Sequence, residues 1–317
     1  MQSLSMEKRH ETAITVIGEG LDSSVENRAA RIVKETGVGS LRINTLHPGY
    51  AIDIIVNSIP PELTAILYKK LAALGPFDVF IQPDDGFRKK KLLIADMDAT
   101  IIQQETLDEL AAHFGLRDKI APITEKAMRG EIDFDEALRM RVRELKGLPM
   151  ETLAETLRDI RYSPGAAALI KTMNLHGAKC ILVSGGFDFF TNHVAATLGF
   201  YRNFGNRLGV ENGKLTGEVL PPILDRHAKE RLVTEMAKDL GCDLRHVVAI
   251  GDGANDIPML KKAGTGVGYF GKPAVTEATP CQIRHTSLIS ALYMQGYRRD
   301  EIAGAKNLLQ SRPSRRL

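Results

Sequence analysis

The stretch "LLIADMDATIIQQE", residues 92 to 105, decides how the rest of the chain is read. An apolar run ends in two carboxylates, Asp96 and Asp98, with Thr100 and Glu105 close behind. In an extended strand, side chains two residues apart share a face, so two like charges there repel and add nothing to a sheet. Such a pair points to chemistry. Outward from it, "KLLIADMD" (91–98), "AKCILVSGG" (178–186), "HVVAIGDG" (246–253) and "AGTGVGY" (263–269) read as strands separated by helix-patterned segments. That alternation predicts a parallel α/β sheet, which collects ligand groups outside the carboxyl ends of its strands.

Between the first two of these strands, residues 104–160 are almost wholly helix-patterned, as in "ETLDELAAHFG" (105–115) and "DFDEALRMRVRELKG" (133–147). The insertion is too long for an ordinary crossover and predicts a helical cap over the strand ends. Upstream the pattern differs. Strand "TAITVI" (12–17) leads to a helix in "SSVENRAARIVKETG" (23–37), capped by Ser23 or Ser24 and stopped by Gly37. A hairpin "SLRINTL", "HPG", "YAIDIIV" (40–56), a helix "PELTAILYKKLAAL" (61–74) and a strand "DVFIQ" (78–82) follow. The order β-α-β-β-α-β, over about residues 10–83, is that of the ferredoxin-like split βαβ sandwich. By topology alone it is similar to the ACT-like modules that bind amino acids. No catalytic constellation occurs there, and His47, beside Pro48, reads as a solvent-facing turn residue.

A chain of 317 residues is long enough for two domains. The polar, glycine-containing "QPDDGFRKKK" (82–91) reads as the linker, giving an N-terminal domain over residues 1–85 and a second over 86–317. The chemistry is expected to survive removal of the first. With 44% hydrophobic and 26% charged residues, disordered and fibrous classes are excluded. A net charge of +3 makes no case for nucleic acid, and the basic runs Arg88–Lys91 and "SRPSRRL" (311–317) read as solvated segments. Three scattered cysteines without a C-x-x-C spacing are a reduced inventory. No apolar run approaches the roughly 18 residues of a membrane span, and "MQSLSMEKRHETA" lacks an apolar signal core. The expectation is a cytoplasmic protein with no membrane partner.

Four strand-end signals converge: "DMDAT" (96–100), "VSGG" (183–186), Lys229 in "DRHAKE" and "GDGAND" (251–256). The last fails as a dinucleotide fingerprint, because Asp256 replaces its third glycine and would repel a pyrophosphate. Together, over roughly residues 90–297, they resemble the haloacid dehalogenase (HAD) superfamily, and the cap residues resemble its phosphoserine phosphatase family. The resemblance implies an α/β fold: a HAD-like Rossmannoid parallel sheet with a helical cap inserted after the first core strand, preceded by the ferredoxin-like (ACT-like) domain. Asp96 is then the nucleophile that forms an aspartyl-phosphate, and Asp98 the acid and base that protonates the leaving oxygen and activates water. Mg²⁺, which neutralises a phosphate ester so that a carboxylate can attack it, would be bound by Asp96, the backbone carbonyl of Asp98, and Asp252. Asn255 and Asp256 complete the metal and phosphate surroundings. Ser184 and the Gly185 amide form the phosphate turn, and Lys229 supplies fixed positive charge. Ala99 departs from the family's usual serine, and its backbone amide is expected to keep the phosphate contact.

In the cap, Glu105, Met128, Phe134 and Arg141 match the family pattern. Glu105 would pair with a substrate ammonium, Arg141 would hold a carboxylate, and Met128 and Phe134 would exclude water. Taken alone, Met128 and Phe134 read as core residues of an amphipathic helix, and Arg141 as one of three arginines with Arg139 and Arg143. The implied activity is Mg-dependent hydrolysis of O-phospho-L-serine, the last step of serine biosynthesis. The implied partner is that small molecule, without nucleic acid, and with room for a homodimer. Two alternatives remain open: a phosphotransferase passing phosphate to an alcohol such as homoserine, and an amino-acid-binding regulatory protein with a degenerate core.

Overall fold

The computed structural model describes residues 11–57, 59–129 and 131–304; the basic tail 311–317 lies outside them. The first module runs β1 (Glu11–Ile17), α1 (Ser23–Lys34), β2 (Leu41–His47), β3 (Ala51–Asn57), α2 (Pro61–Ala72) and β4 (Asp78–Asp84). Its sheet has the order β2-β3-β1-β4, antiparallel throughout, which is the ferredoxin-like arrangement. Helix α1 is capped by Asp22, which accepts from the Val25 amide, rather than by either serine. The aspartate lies one residue further out, where its carboxylate reaches the free amides of the first turn.

The second module has a seven-stranded sheet, β11-β10-β9-β5-β6-β7-β8. Its strands are β5 (Leu92–Asp96), β6 (Lys179–Phe187), β7 (Arg202–Glu211), β8 (Lys214–Leu220), β9 (Val247–Gly251), β10 (Thr265–Tyr269) and β11 (Cys281–Ile283). Central β5 pairs in parallel with β6 and β9. Every residue of β5 and β9 is buried, because helices cover both faces and alternate residues feed opposite layers. Leu93 and Ala95 pack on the side of α7 (Ala166–Leu175) and α8 (Asp188–Leu198). Leu92 and Ile94 pack on the side of α9 (Arg226–Asp239) and α10 (Ile257–Lys262). The sheet is not wholly parallel: β7 and β8 form an antiparallel hairpin at one end. The cap, after β5, contains α3 (Thr106–His113), α4 (Arg117–Met128), α5 (Phe134–Arg143) and α6 (Glu151–Leu157), and the chain closes with α11 (Pro273–Ala278) and α12 (Ser290–Tyr293). Among the described residues, no helix is long and apolar enough to cross a membrane.

Two sequence readings are corrected where the modules meet. His47 is buried, not solvent-facing: its Nδ1 lies 2.7 Å from the Tyr293 hydroxyl. The basic run is only half solvated: Lys89 and Lys91 are exposed, whereas Arg88 and Lys90 are not. Arg88 is only 7% exposed, with its guanidinium 2.7 and 2.8 Å from the two Asp53 oxygens and its Nε donating to the Met294 carbonyl. Lys90 is buried and donates from Nζ to the Arg245 carbonyl. Asp78, at the start of β4, accepts from the backbone amides of Arg284, His285 and Thr286. Ile17, Leu46, Ala51 and Phe80 join the same apolar core as Tyr293 and Leu288, so the two modules share packing as well as polar contacts.

Candidate active site

Parallel pairing sets β9, β5 and β6 side by side, and a polar residue lies at or just beyond the same edge of each. Asp96 is the last residue of β5, Asp252 follows β9 directly, and Ser184 lies in β6 opposite that edge. Because β5 stops at Asp96, Asp98 does not share a strand face with it. The chain instead turns tightly over residues 97–101, and Ala99 takes a left-handed φ of 52° that a residue with a Cβ seldom adopts.

Asp96, Asp252 and Asp256 each bring a carboxylate oxygen within 4.8 Å of the others, all buried. Lys229, 1% exposed, places its Nζ 2.6 Å from both Asp96 and Asp256. Asp256 also accepts from the amides of Asp252 and Gly253, which fixes its orientation. Burial, reinforced by Asp256, holds the Asp96 carboxyl well above the usual range against the pull of Lys229. Burial likewise raises Asp252, with Asp256 adding to it and Lys272 opposing. One buried ammonium thus faces three buried carboxylates, an excess of negative charge in a cage of hard oxygen donors. That donor set fits a divalent cation of the magnesium type.

Asp98 points away from this cluster. Its carboxylate accepts from the Thr106 amide at 2.8 Å and from the Ser184 hydroxyl at 2.9 Å, while Ser184 Oγ itself accepts from the Gly186 amide. Burial raises its pKa. The first turn of α3 therefore holds the Asp98 side chain, a link from cap to core that no motif announced. The Ala99 amide donates to the Gln104 carbonyl at 3.0 Å, so the expected phosphate contact is corrected: that donor closes the turn instead.

A cleft of about 130 Å³ opens above these groups, lined on the core side by Asp96, Asp98, Ser184, Gly185, Asp252 and Asn255. Glu105, Phe134 and Arg141 line it from the cap. Lys229 and Asp256 lie beneath its floor. Met128 ends α4, and its side chain lies outside the described residues. Phe134 packs over Gly185, where an added Cβ would come within 3.2 Å of the ring. Glu105 is raised to about 7, by burial first and then by Asp98. Arg141 donates from Nε to the Ala137 carbonyl and has no ion pair among the described residues; burial lowers its pKa.

Lys272 also lines the cleft, 3.2 Å from Asp252 and 3.6 Å from Glu105. Sequence reasoning missed it, although it lies three residues past the end of β10, where the strand-end rule applied to that strand would have pointed.

Residues 93–261 match the family model for haloacid dehalogenase-like hydrolases. A phosphoserine phosphatase of Streptomyces coelicolor is 36% identical over 298 residues, which cover 93% of this chain and 73% of that one. One from Archaeoglobus fulgidus is 41% identical over 229 residues, covering 72% of this chain and 66% of the relative's length. A solved structure described as a phospho-aspartyl intermediate analogue of phosphoserine phosphatase superposes with a TM-score of 0.61 at 40% identity, over 65% of this chain and 98% of that one.

Proposed function

The chain belongs to the haloacid dehalogenase-like hydrolases, and we infer that within them it hydrolyses O-phospho-L-serine to L-serine and phosphate through an aspartyl-phosphate, the final step of serine biosynthesis. The observation that carries this reading is the polarity of the cleft. A buried carboxylate at a strand end lies at its floor, and a guanidinium with no ion pair among the described residues lines its cap side together with Glu105. Phosphoserine has the complementary charges in that order: phosphate, then ammonium and carboxylate.

In this reading the Asp96 carboxylate attacks phosphorus in line while Lys229 steadies it and the developing charge. Asp98, protonated at first as its raised pKa favours, gives its proton to the departing seryl oxygen and then accepts one from the water that attacks the phosphoenzyme. Ser184 and Thr106 aim that proton. Glu105 takes the ammonium, Arg141 the carboxylate, and Phe134 keeps water off the phosphoryl group. Metal dependence is general for the family, and we assign Mg²⁺ to Asp96, Asp252 and the Asp98 backbone carbonyl, with Asp256 and Asn255 behind them. When bound it neutralises the phosphate so that a carboxylate can approach.

The test is phosphate release across a panel of phosphorylated amino acids and sugars, with and without homoserine. Phosphoserine should be turned over fastest, in a metal-dependent way and independently of homoserine. Preference for a sugar phosphate, or phosphate passed to homoserine instead of water, would overturn the assignment.

A further inference from the structure

The hairpin β7–β8, which no motif singled out, does more than extend the sheet. The cap residues that follow α5 lie along β8 like a short added strand. The Gly147 amide donates to the Leu215 carbonyl at 2.8 Å, the Leu215 amide to Leu148 at 2.9 Å, and the Met150 amide to Gly213 at 2.9 Å. Pro149 and Lys214 form an antiparallel bridge between them. Beneath this seam, Leu215 and Val219 of the hairpin are buried in one core with Leu138, Val142 and Leu145 of the cap.

Gly217, in β8, lies close against the end of the cap helix. Its φ is 81°, and an added Cβ would lie 2.9 Å from Lys146 Cβ, 3.3 Å from the Arg143 carbonyl oxygen and 3.4 Å from Arg143 Cα. At the other end of α5, Phe134 rests on Gly185 at the same kind of distance. Helix α5 is therefore seated on a core-domain glycine at each end, and Arg141 projects into the cleft from between the two seats.

We propose that Gly217 is a positioning residue for recognition of the substrate's carboxylate: the bare backbone there lets the end of α5 seat on the hairpin, and this seating fixes where the Arg141 guanidinium stands relative to the phosphate. The proposal rests on the reading of Arg141 given above. Lys146, just past the end of α5, and Arg143, its last residue, both crowd Gly217, so a methyl group would push the end of α5 and the turn after it outward by a few tenths of an ångström. A misplacement of 1 Å can cost about a hundredfold, so a shift of this size should raise KM by about tenfold.

The experiment compares Gly217→Ala with Gly213→Ala in the full chain. Gly213 lies in the same seam and shares the positive φ, at 74°, but has no heavy atom within 4 Å of an added Cβ, so it reports left-handed strain in the seam without the clash. Gly217→Ala should raise KM for O-phospho-L-serine about tenfold, change kcat by less than about twofold, and leave phosphoethanolamine, which has no carboxylate, within about twofold of wild type. Gly213→Ala should lower the melting temperature similarly and leave both KM values unchanged. Adding Lys146→Gly, which removes the nearest obstructing atom, should restore KM in the Gly217→Ala background. Equal effects of the two glycine variants, equal losses on the two substrates, or failure of Lys146→Gly to restore KM would each overturn the proposal.

Hydrogen exchange of the full chain judges the seam without any substrate. The Gly147 and Leu215 amides should exchange slowly in wild type and at least about tenfold faster in Gly217→Ala, but not in Gly213→Ala. If wild type does not distinguish phosphoserine from phosphoethanolamine, the reading of Arg141 fails. If it does distinguish them but the seam amides exchange freely, it is the seating that fails.

Discussion

At the floor of the cleft each carboxylate already has a protein partner: Lys229 for Asp96 and Asp256, Thr106 and Ser184 for Asp98, Lys272 for Asp252. On the cap side, Arg141 has no ion pair among the described residues, and Glu105 has a contact at 3.6 Å from a half-exposed lysine. The two ends of one site thus differ in what they lack. The reacting groups are held before substrate arrives, which is what stabilising a transition state requires. The recognition groups stand only part-buried, with the Glu105 side chain 51% exposed, and carry charge that a zwitterionic ligand would pair. Binding energy from that end can then be used to position the phosphoryl group over Asp96.

The largest expected effect lies at the floor. Asp96→Asn removes the proposed nucleophile and one of three crowded carboxylates, so phosphate release should fall by at least about 10⁴-fold while the thermal unfolding midpoint holds. Turnover near the wild-type rate would erase the distinction between the two ends. Next is Arg141→Ala. Removing one partner of a water-shielded charge pair costs about 3 to 5 kcal/mol, so kcat/KM for O-phospho-L-serine should drop several hundredfold or more. With phosphoethanolamine the drop should be small, and kinetics of both substrates on both proteins decide it. Equal losses would move Arg141 from recognition to cap support.

Glu105 gives a smaller, graded effect. Its pKa, raised to about 7, means that in the free enzyme the carboxyl becomes protonated as pH falls through about 7 and can no longer pair with an ammonium. The raised value makes the ionised, binding-competent form the one present above that pH. The kcat/KM for phosphoserine should therefore fall by up to about tenfold per unit on the acid side of 7. Glu105→Gln should lower the plateau and flatten this limb, leaving the titration of the substrate's own phosphate, which is common to both profiles. An acid limb unchanged in Glu105→Gln would assign it to another group.

Much of the floor was legible in the sequence because its residues sit at the ends of short apolar runs, where period and punctuation coincide: Asp96, Ser184 and Asp252 needed no long-range information. The rest was hidden for physical reasons. The hairpin β7–β8 has one largely exposed face and an irregular alternation, so its strands carry little periodic signal. The role of the Ala99 amide depends on Gln104 folding back over a turn. Arg88 and His47 looked solvated because partners more than 200 residues away, at Met294 and at Tyr293, are invisible to local patterning, as are the partners of Asp78 at 284–286. Burial of a charged residue is a property of the assembled core, not of its neighbours in the chain.

Asp78 offers the last and mildest test for activity, and it separates burial from function. Like Asp96 it is a buried carboxylate whose pKa is pushed up by desolvation. Unlike Asp96, its needs are met by backbone amides and the Thr286 hydroxyl, none of which lines the cleft. Asp78→Ala leaves those amides without an acceptor at the junction of the modules, which should cost about 2 to 4 kcal/mol of stability, a few degrees or more in unfolding temperature. Activity per folded molecule should stay within about twofold, because the floor and both seats of α5 are untouched. Asp96→Asn should do the reverse, keeping stability and losing activity. Calorimetry and phosphate release on the two variants, side by side, give that crossed pattern or refute it. A large fall in kcat/KM for Asp78→Ala at temperatures where the protein is folded would mean that the N-terminal module reaches the chemistry through β11 and the loop behind it. The cleft would then have a third contributing region.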